Sequence, residues 1–436
     1  MTVAFSALVA LIVLIPALAV AGSQLACGIA SAIAAIGIIG ASLALPSREI
    51  RQFSQTLKPV VVASLLAPCI WMLIQILPLG GRPLTNSIWV SASSALGHPL
   101  AGTITIDTSE TILALARYIT AISVVLLSVV VALDRQRAVA LLVLSTLVTV
   151  GMSAGFIAIQ LDWGPNTALD HLTNRADITA IVLIGIVLSA AVTVRSYEKT
   201  KSPGYESSRR LISLLTMIAS LASLMVCSIA TLMTSHAAQF AGLIGTATVA
   251  SVFAIRKWRL GRWGQFGLAA TAVVTIVAFI AASPGNGSNL TIGLADQRSG
   301  AIERMLSDAR WNGSGAGTFD ALAPIYRDLD EADVRANSTT AAIVAIEMGW
   351  PFLWVCCIAL MAGAAILFRC AMLRRQDCFY ASAGAGCILA FLISSFGTYG
   401  TLGASSPVLL SVVSGLAIAQ SRSTASRRNA KQTEPP

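Results

Sequence analysis

The residues best suited to chemistry in this sequence are arginines and carboxylates, and they crowd into one polar stretch. Between 284 and 339 lie five arginines, eight carboxylates and no lysine. A guanidinium presents a planar fork of donors that matches phosphate oxygens, so Arg298, Arg304, Arg310 and Arg327 point to an anionic, phosphate-bearing ligand. Arg175, in "NRAD", is a fifth candidate at the mouth of an apolar run, with Asp177 close by as its partner if its role is only structural. For Arg304 the structural alternative is pairing with Asp308 one turn later. Glu347 and Asp330 are the carboxylates that could serve as general base. "GSGAG", with Gly313, Gly315 and Gly317, has the composition of a phosphate-cradling loop, but it follows no strand pattern and so fails the dinucleotide reading. The alternative is a tight turn packed closely on a neighbour. Tyr326 and His236, the latter at the mouth of another apolar run, complete the set of substrate-contact candidates.

These residues must be positioned by membrane helices. The chain is 56% hydrophobic and only 11% charged, with a mean hydropathy of +0.79; soluble domains carry roughly 25% charged residues. An all-α polytopic membrane protein is expected. Crossing the hydrocarbon core takes about 20 helical residues, and apolar runs of about that length occur near 3–21, 25–45, 59–78, 111–133, 138–161, 177–195, 211–232, 238–255, 265–283, 340–368, 379–397 and 405–420. That predicts about twelve spans in a single helical membrane domain, 1–420, followed by a disordered tail, 421–436. The first run lacks a basic flank and is read as a retained helix rather than a signal peptide.

Lysine and arginine gather in "SREIRQFSQTLK", "DRQR", "RSYEKTKSPGYESSRR", "RKWRLGR", "RCAMLRRQD" and the tail, which are alternate connections between the twelve runs. The positive-inside rule then puts both termini in the cytoplasm and leaves outer loops at 79–110, 162–176 and 284–339. The net charge of +9 is explained by this arrangement, which favours anionic lipid over nucleic acid as the partner of the basic residues. The cysteines lie in or beside spans without CxxC spacing or a histidine cluster, so no metal is expected. Within the large loop, "DQRSGAIERMLSDARW" places Ile302, Met305, Leu306 and Ala309 at helical spacing, predicting an amphipathic helix on the outer membrane surface.

Several segments together resemble the bacterial O-antigen ligase and polysaccharide polymerase superfamily. "WNGSGAGTFDALAPIY" is similar to the family's Gly-x-Gly-x-Gly-x-Phe segment followed by Pro-x-Tyr, and "ANSTTAAIVAIEMG" to its loop-to-helix junction ending in Glu-x-Gly. "LTNRADITAIVLIGIVLSA", "TSHAAQFAGLIGTA" and "GTITIDTSETILALARY" resemble three of its span starts, in the family's order. The resemblance implies a glycosyltransferase of the bacterial inner membrane, with the large periplasmic loop before helix 10. Such an enzyme moves a glycan from undecaprenyl diphosphate to an acceptor, either another glycan or lipid A core, without cofactor or metal. On that reading the loop arginines hold the diphosphate leaving group, and other polysaccharide assembly proteins are expected partners.

The resemblance breaks at the base. Family ligases carry a histidine just before the tenth span, and the corresponding position here is Ser338, or Asn337 with a slip of one residue. Serine has no useful proton affinity near neutral pH. Three readings stay open: a polymerase, a carboxylate base, or a chain that has lost catalysis. A transporter or flippase of lipid-linked glycan is the alternative from another class, and a non-catalytic assembly partner is a third. Transporters place ionisable groups along a pathway near mid-membrane, whereas the charges here gather at the outer mouth.

Overall fold

The computed structural model describes residues 1–21, 23–44, 59–78, 85–161, 175–200, 207–257, 300–327, 334, 337–374, 377–400 and 402–432. In chain order the helices are α1 (Thr2–Val13), α2 (Ile15–Val20), α3 (Ser23–Ala44), α4 (Pro59–Ile76), α5 (Ile88–Leu96), α6 (Thr108–Val131), α7 (Arg135–Gln160) and α8 (Arg175–Thr200). They continue as α9 (Ser207–Leu232), α10 (His236–Lys257), α11 (Gly300–Asp308), α12 (Phe319–Tyr326), α13 (Thr340–Met348), α14 (Trp350–Leu373), α15 (Cys378–Gly397) and α16 (Ser405–Gln432). Among the described residues there is no strand, only a bridge between Thr339 and Tyr399.

Eight of these helices are long and apolar enough to cross a membrane, and the chain is a polytopic helical membrane protein. Three further apolar helices, Thr2–Val13, Val61–Ile76 and Ser405–Ser421, are shorter, and the run 265–283 lies outside the described residues. The expected first span is broken between Val13 and Ile15, next to Pro16. The expected span 340–368 is also two helices. Gly349 has φ 92° and Pro351 follows in the first turn of α14, so α13 stops and the spanning helix starts again at Trp350. The backbone of α16 is helical to Gln432. Its Ala, Arg, Lys and Gln residues are strong helix formers that let the helix run past its apolar part.

Helices α8 and α15 are central: 72% of each apolar window is buried, against 17% for the window of α14, whose flank is left for lipid. Small residues permit this closeness. A Cβ on Gly386 would lie 2.6 Å from the carbonyl oxygen of Gly245, so α10 and α15 touch backbone to backbone there, as helices do where lipid offers no hydrophobic drive for association.

Contacts sort the helix ends into two sets. At one end, Arg135 at the start of α7 pairs with Asp377 at 2.8 Å, Arg256 at the end of α10 lies 3.6 Å from Glu198 at the end of α8, and Gln420 of α16 donates to the carbonyl of Ala132 just after α6. Arg195 rests over the Phe379 ring and Lys257 over Tyr197 at this same end. At the opposite end, Asp177 at the start of α8 accepts from Ser405 and from the Ser406 amide at the start of α16. There α11–α13 form a cap over the mouths of α4, α6 and α14. Arg135, Arg195, Arg256 and Lys257 thus lie together at the end away from the cap.

Gly349 is a tight joint between α13 and α14, because a Cβ there would lie 2.1 Å from the Trp311 carbonyl oxygen. Gly349→Ala is expected to destabilise the protein by about 3 kcal/mol, from left-handed backbone strain plus overlap. Thermal unfolding in detergent measures this; an unchanged midpoint would show that the joint yields.

Candidate active site

The cap carries its own small core. Ala301, Ile302 and Met305 of α11 are buried against Phe319 of α12 and Ala342 and Ile346 of α13. The amphipathic helix is therefore where the spacing puts it, but its apolar face turns to protein rather than to the membrane surface. Burial against two neighbouring helices satisfies that face as well as lipid would.

The glycine segment docks this cap. The amides of Gly313, Ser314, Gly315 and Ala316 donate to the carbonyls of Arg310, Ile346 and Glu347 and to the Gln75 side chain, at 3.0, 3.0, 2.9 and 3.2 Å. These four amides are already engaged by protein acceptors. Gly315 has φ 113°, and a Cβ there would lie 2.1 Å from Thr105 Oγ1. Close packing describes the segment; of the three glycines named as contacts, Gly313 lines the cleft described below, while Gly315 and Gly317 lie against Thr105 and Glu110.

Gln75 receives the segment from the membrane side. Its carboxamide is fully buried in α4, with Nε2 donating to the carbonyls of Asn312 (3.3 Å) and Glu347 (3.1 Å) while Oε1 accepts from Ala316. Trp71, one turn earlier, donates its indole N–H to the Met348 carbonyl at 3.0 Å. From the other side Ile106 donates its amide to Ser314.

A cleft of about 190 Å³ opens between the cap and the segment that precedes α6, with Asn86, Ser87, Asp308, Arg310, Gly313 and Tyr326 among its lining residues. The Tyr326 hydroxyl donates to Asp308 Oδ2 at 3.1 Å. Burial, and then the hydrogen bond and charge of Asp308, raise the Tyr326 pKa, so the phenol stays a protonated donor at neutral pH. Arg310 is exposed and donates to the Thr85 carbonyl at 2.9 Å, tying the segment after α11 to the segment before α5 across the cleft. Arg304 donates to the Tyr326 carbonyl at 2.9 Å rather than pairing with Asp308.

The other sequence candidates are distributed as follows. Glu347 points one carboxylate oxygen at the Phe319 amide, 3.1 Å away, and so holds the start of α12. Ser338 is fully buried and its carbonyl accepts from Gly400. Arg327 is exposed at the end of α12, and His236 is exposed at the start of α10; neither lines the cleft. Arg298 and Asp330 lie outside the described residues, and Arg175 is described in its backbone alone. Sequence reasoning missed Asp308 as a cleft carboxylate, and it missed Gln75 altogether. The signal for Gln75 was present: a lone carboxamide in the apolar run "WMLIQILP" requires partners.

No known family model matches this chain, and no curated protein does either.

Gln75→Leu keeps similar bulk but strips the Ala316 amide of its acceptor and the Asn312 carbonyl of a donor. A loss of about 2–4 kcal/mol is expected for buried groups left unsatisfied. Hydrogen exchange of the 312–316 amides should rise with it; wild-type protection would show that the carboxamide does not hold the cap.

Proposed function

We propose that the chain is a membrane glycosyltransferase of cell-surface polysaccharide assembly. It polymerises or ligates oligosaccharides linked to undecaprenyl diphosphate, at the periplasmic face of the bacterial inner membrane. The observation that carries this reading is the cleft between cap and bundle, where Arg310, Asp308 and Tyr326 converge at the end opposite Arg135 and Arg256. The gathering of Arg135, Arg195, Arg256 and Lys257 at the far end supports a cytoplasmic placement for that end and an outward-facing cap.

The chemistry needs few parts. An acceptor hydroxyl attacks the anomeric carbon, the bond from that carbon to the diphosphate oxygen breaks, and the hydroxyl proton passes to a base. Asp308 takes the base role, since it lines the cleft whereas Glu347 is engaged by the start of α12. Arg310 stabilises the departing diphosphate, whose negative charge grows as the bond breaks. A guanidinium already held in place by the Thr85 carbonyl needs little reorganisation to do so. Arg304 acts on the same wall by holding the backbone at Tyr326.

Arg310→Ala is expected to lower glycan transfer at least 100-fold, about 3 kcal/mol of transition-state stabilisation, with the protein still in the membrane at wild-type level. The assay is a gel of lipopolysaccharide, secreted polysaccharide and the lipid-linked pool, from cells lacking the gene and cells complemented with wild type or variant. Single repeat units accumulating on the carrier would identify a polymerase, and long polymer stranded there a ligase. If neither glycan nor carrier pool changes, glycan transfer is the wrong reaction.

A further inference from the structure

Membrane helices place few charges at depth, because each one must be paired, hydrated or used. In this bundle the charged residues of the candidate spans keep close to helix ends. Asp177 is in the first turn of α8 and accepts from Ser405 and Ser406. Glu198 and Arg256, near the ends of α8 and α10, face one another. Arg195 stacks over Phe379 near the same end.

Arg117 is the exception. It lies in α6, about 14 Å along the axis from Thr108 at 1.5 Å per residue. Among the described residues it has no hydrogen-bond or ion-pair partner, and its Nε is buried with its donor unmet. The side chain as a whole keeps partial exposure, so it is not sealed in the core. A buried guanidinium N–H without an acceptor costs several kcal/mol in so apolar a setting. A residue in that state calls for an anion that no described residue supplies.

Its position says which anion can reach it. One turn toward the cap is Ala114, whose Cβ would lie 3.5 Å from a Cβ on Gly317, so the glycine segment of the cap rests on that turn of α6. One turn deeper, Thr120 and Ser31 share a hydrogen bond of 2.7 Å that ties α6 to α3. The adjacent Tyr118 donates to the Leu65 carbonyl of α4. Arg117 therefore sits between the cap contact above and the closed helix packing below. Helix side chains lean toward the N-terminus, which for α6 is the cap end. The long arginine side chain thus leans toward the headgroup level, just beneath the cap.

We infer that Arg117 binds the phosphate oxygens of a membrane lipid drawn in under the cap, and that this lipid is the undecaprenyl diphosphate of the donor. The identity of the lipid rests on the glycosyl-transfer reading; the presence of a lipid-phosphate site does not. In this arrangement Arg117 grips the carrier from the membrane side while Arg310 meets the diphosphate from the cap. An apolar chain alone gives no register along the membrane normal, and a charged anchor at fixed depth supplies one.

The test uses the full chain in phosphatidylcholine nanodiscs. Binding of undecaprenyl diphosphate, undecaprenol and phosphatidylglycerol is titrated against wild type, Arg117→Gln, Arg117→Lys and Arg310→Ala. The expected result is at least tenfold weaker binding of undecaprenyl diphosphate by Arg117→Gln, a smaller loss with Arg117→Lys, and no change for undecaprenol. Equal diphosphate affinity in wild type and Arg117→Gln overturns the proposal. Loss confined to phosphatidylglycerol overturns the donor assignment and makes Arg117 a site for resident lipid. If wild type binds no undecaprenyl diphosphate while phosphatidylglycerol retention still depends on Arg117, the glycosyl-transfer reading fails and the lipid-phosphate site stands. Should Arg117→Gln not fold, a photoreactive undecaprenyl diphosphate on the wild-type protein decides: crosslinks within Glu110–Val124 support the site, and their absence from that stretch overturns it.

Discussion

A fully buried carboxamide must find its partners within the protein, and Gln75 resolves that demand entirely on backbone from the cap. Its donors reach the carbonyls of Asn312 and Glu347 and its acceptor takes the Ala316 amide. Each partner belongs to a segment that could otherwise meet solvent, so cap docking and bundle stability are one problem. The positive-φ glycines follow from it. Gly313 and Gly349 let two backbones approach more closely than any side chain would allow, and only that approach brings the carbonyls within reach of Gln75. The break between α13 and α14 is the same constraint seen along the chain, because the helix must stop where its carbonyls turn to face Trp71 and Gln75.

This docking makes the cleft. The cap is held below by Gln75 and at its edge by Arg310 on the Thr85 carbonyl, so the segment before α6 and the segment after α11 become two walls of one space. Charge is arranged around it with some economy. Asp308 and Tyr326 are linked across the wall, Glu347 holds the start of α12 from behind, and Arg135, Arg195, Arg256 and Lys257 lie at the far end. On the glycosyl-transfer proposal, a site built this way stabilises the leaving diphosphate.

Particular residues show how far a sequence can be read. The long apolar helices were legible, since hydropathy is a property of short stretches. The amphipathic spacing of Ile302, Met305 and Leu306 correctly marked a helix, yet it said nothing of what covered the apolar face, because protein and lipid satisfy that face alike. "GSGAG" could be read as a cradle or as a packed turn; four engaged amides make it the latter. Asp308 looked like a partner for Arg304 one turn away, but its oxygen faces Tyr326, a residue brought near by the fold of the cap.

Composition and periodicity by themselves determined that this is a polytopic helical membrane protein and which stretches are basic. Those features follow from the energy of moving each short segment between water and hydrocarbon, which needs no knowledge of neighbours. Tertiary structure alone decided that the segment before α6 meets the segment after α11, that α13 belongs to the cap rather than continuing into α14, and that the Gln75 carboxamide and the Asp308 carboxylate find their partners there. Those outcomes depend on satisfying buried polar groups across a hundred or more residues of chain, and no local pattern encodes which distant carbonyl or carboxylate will be the partner.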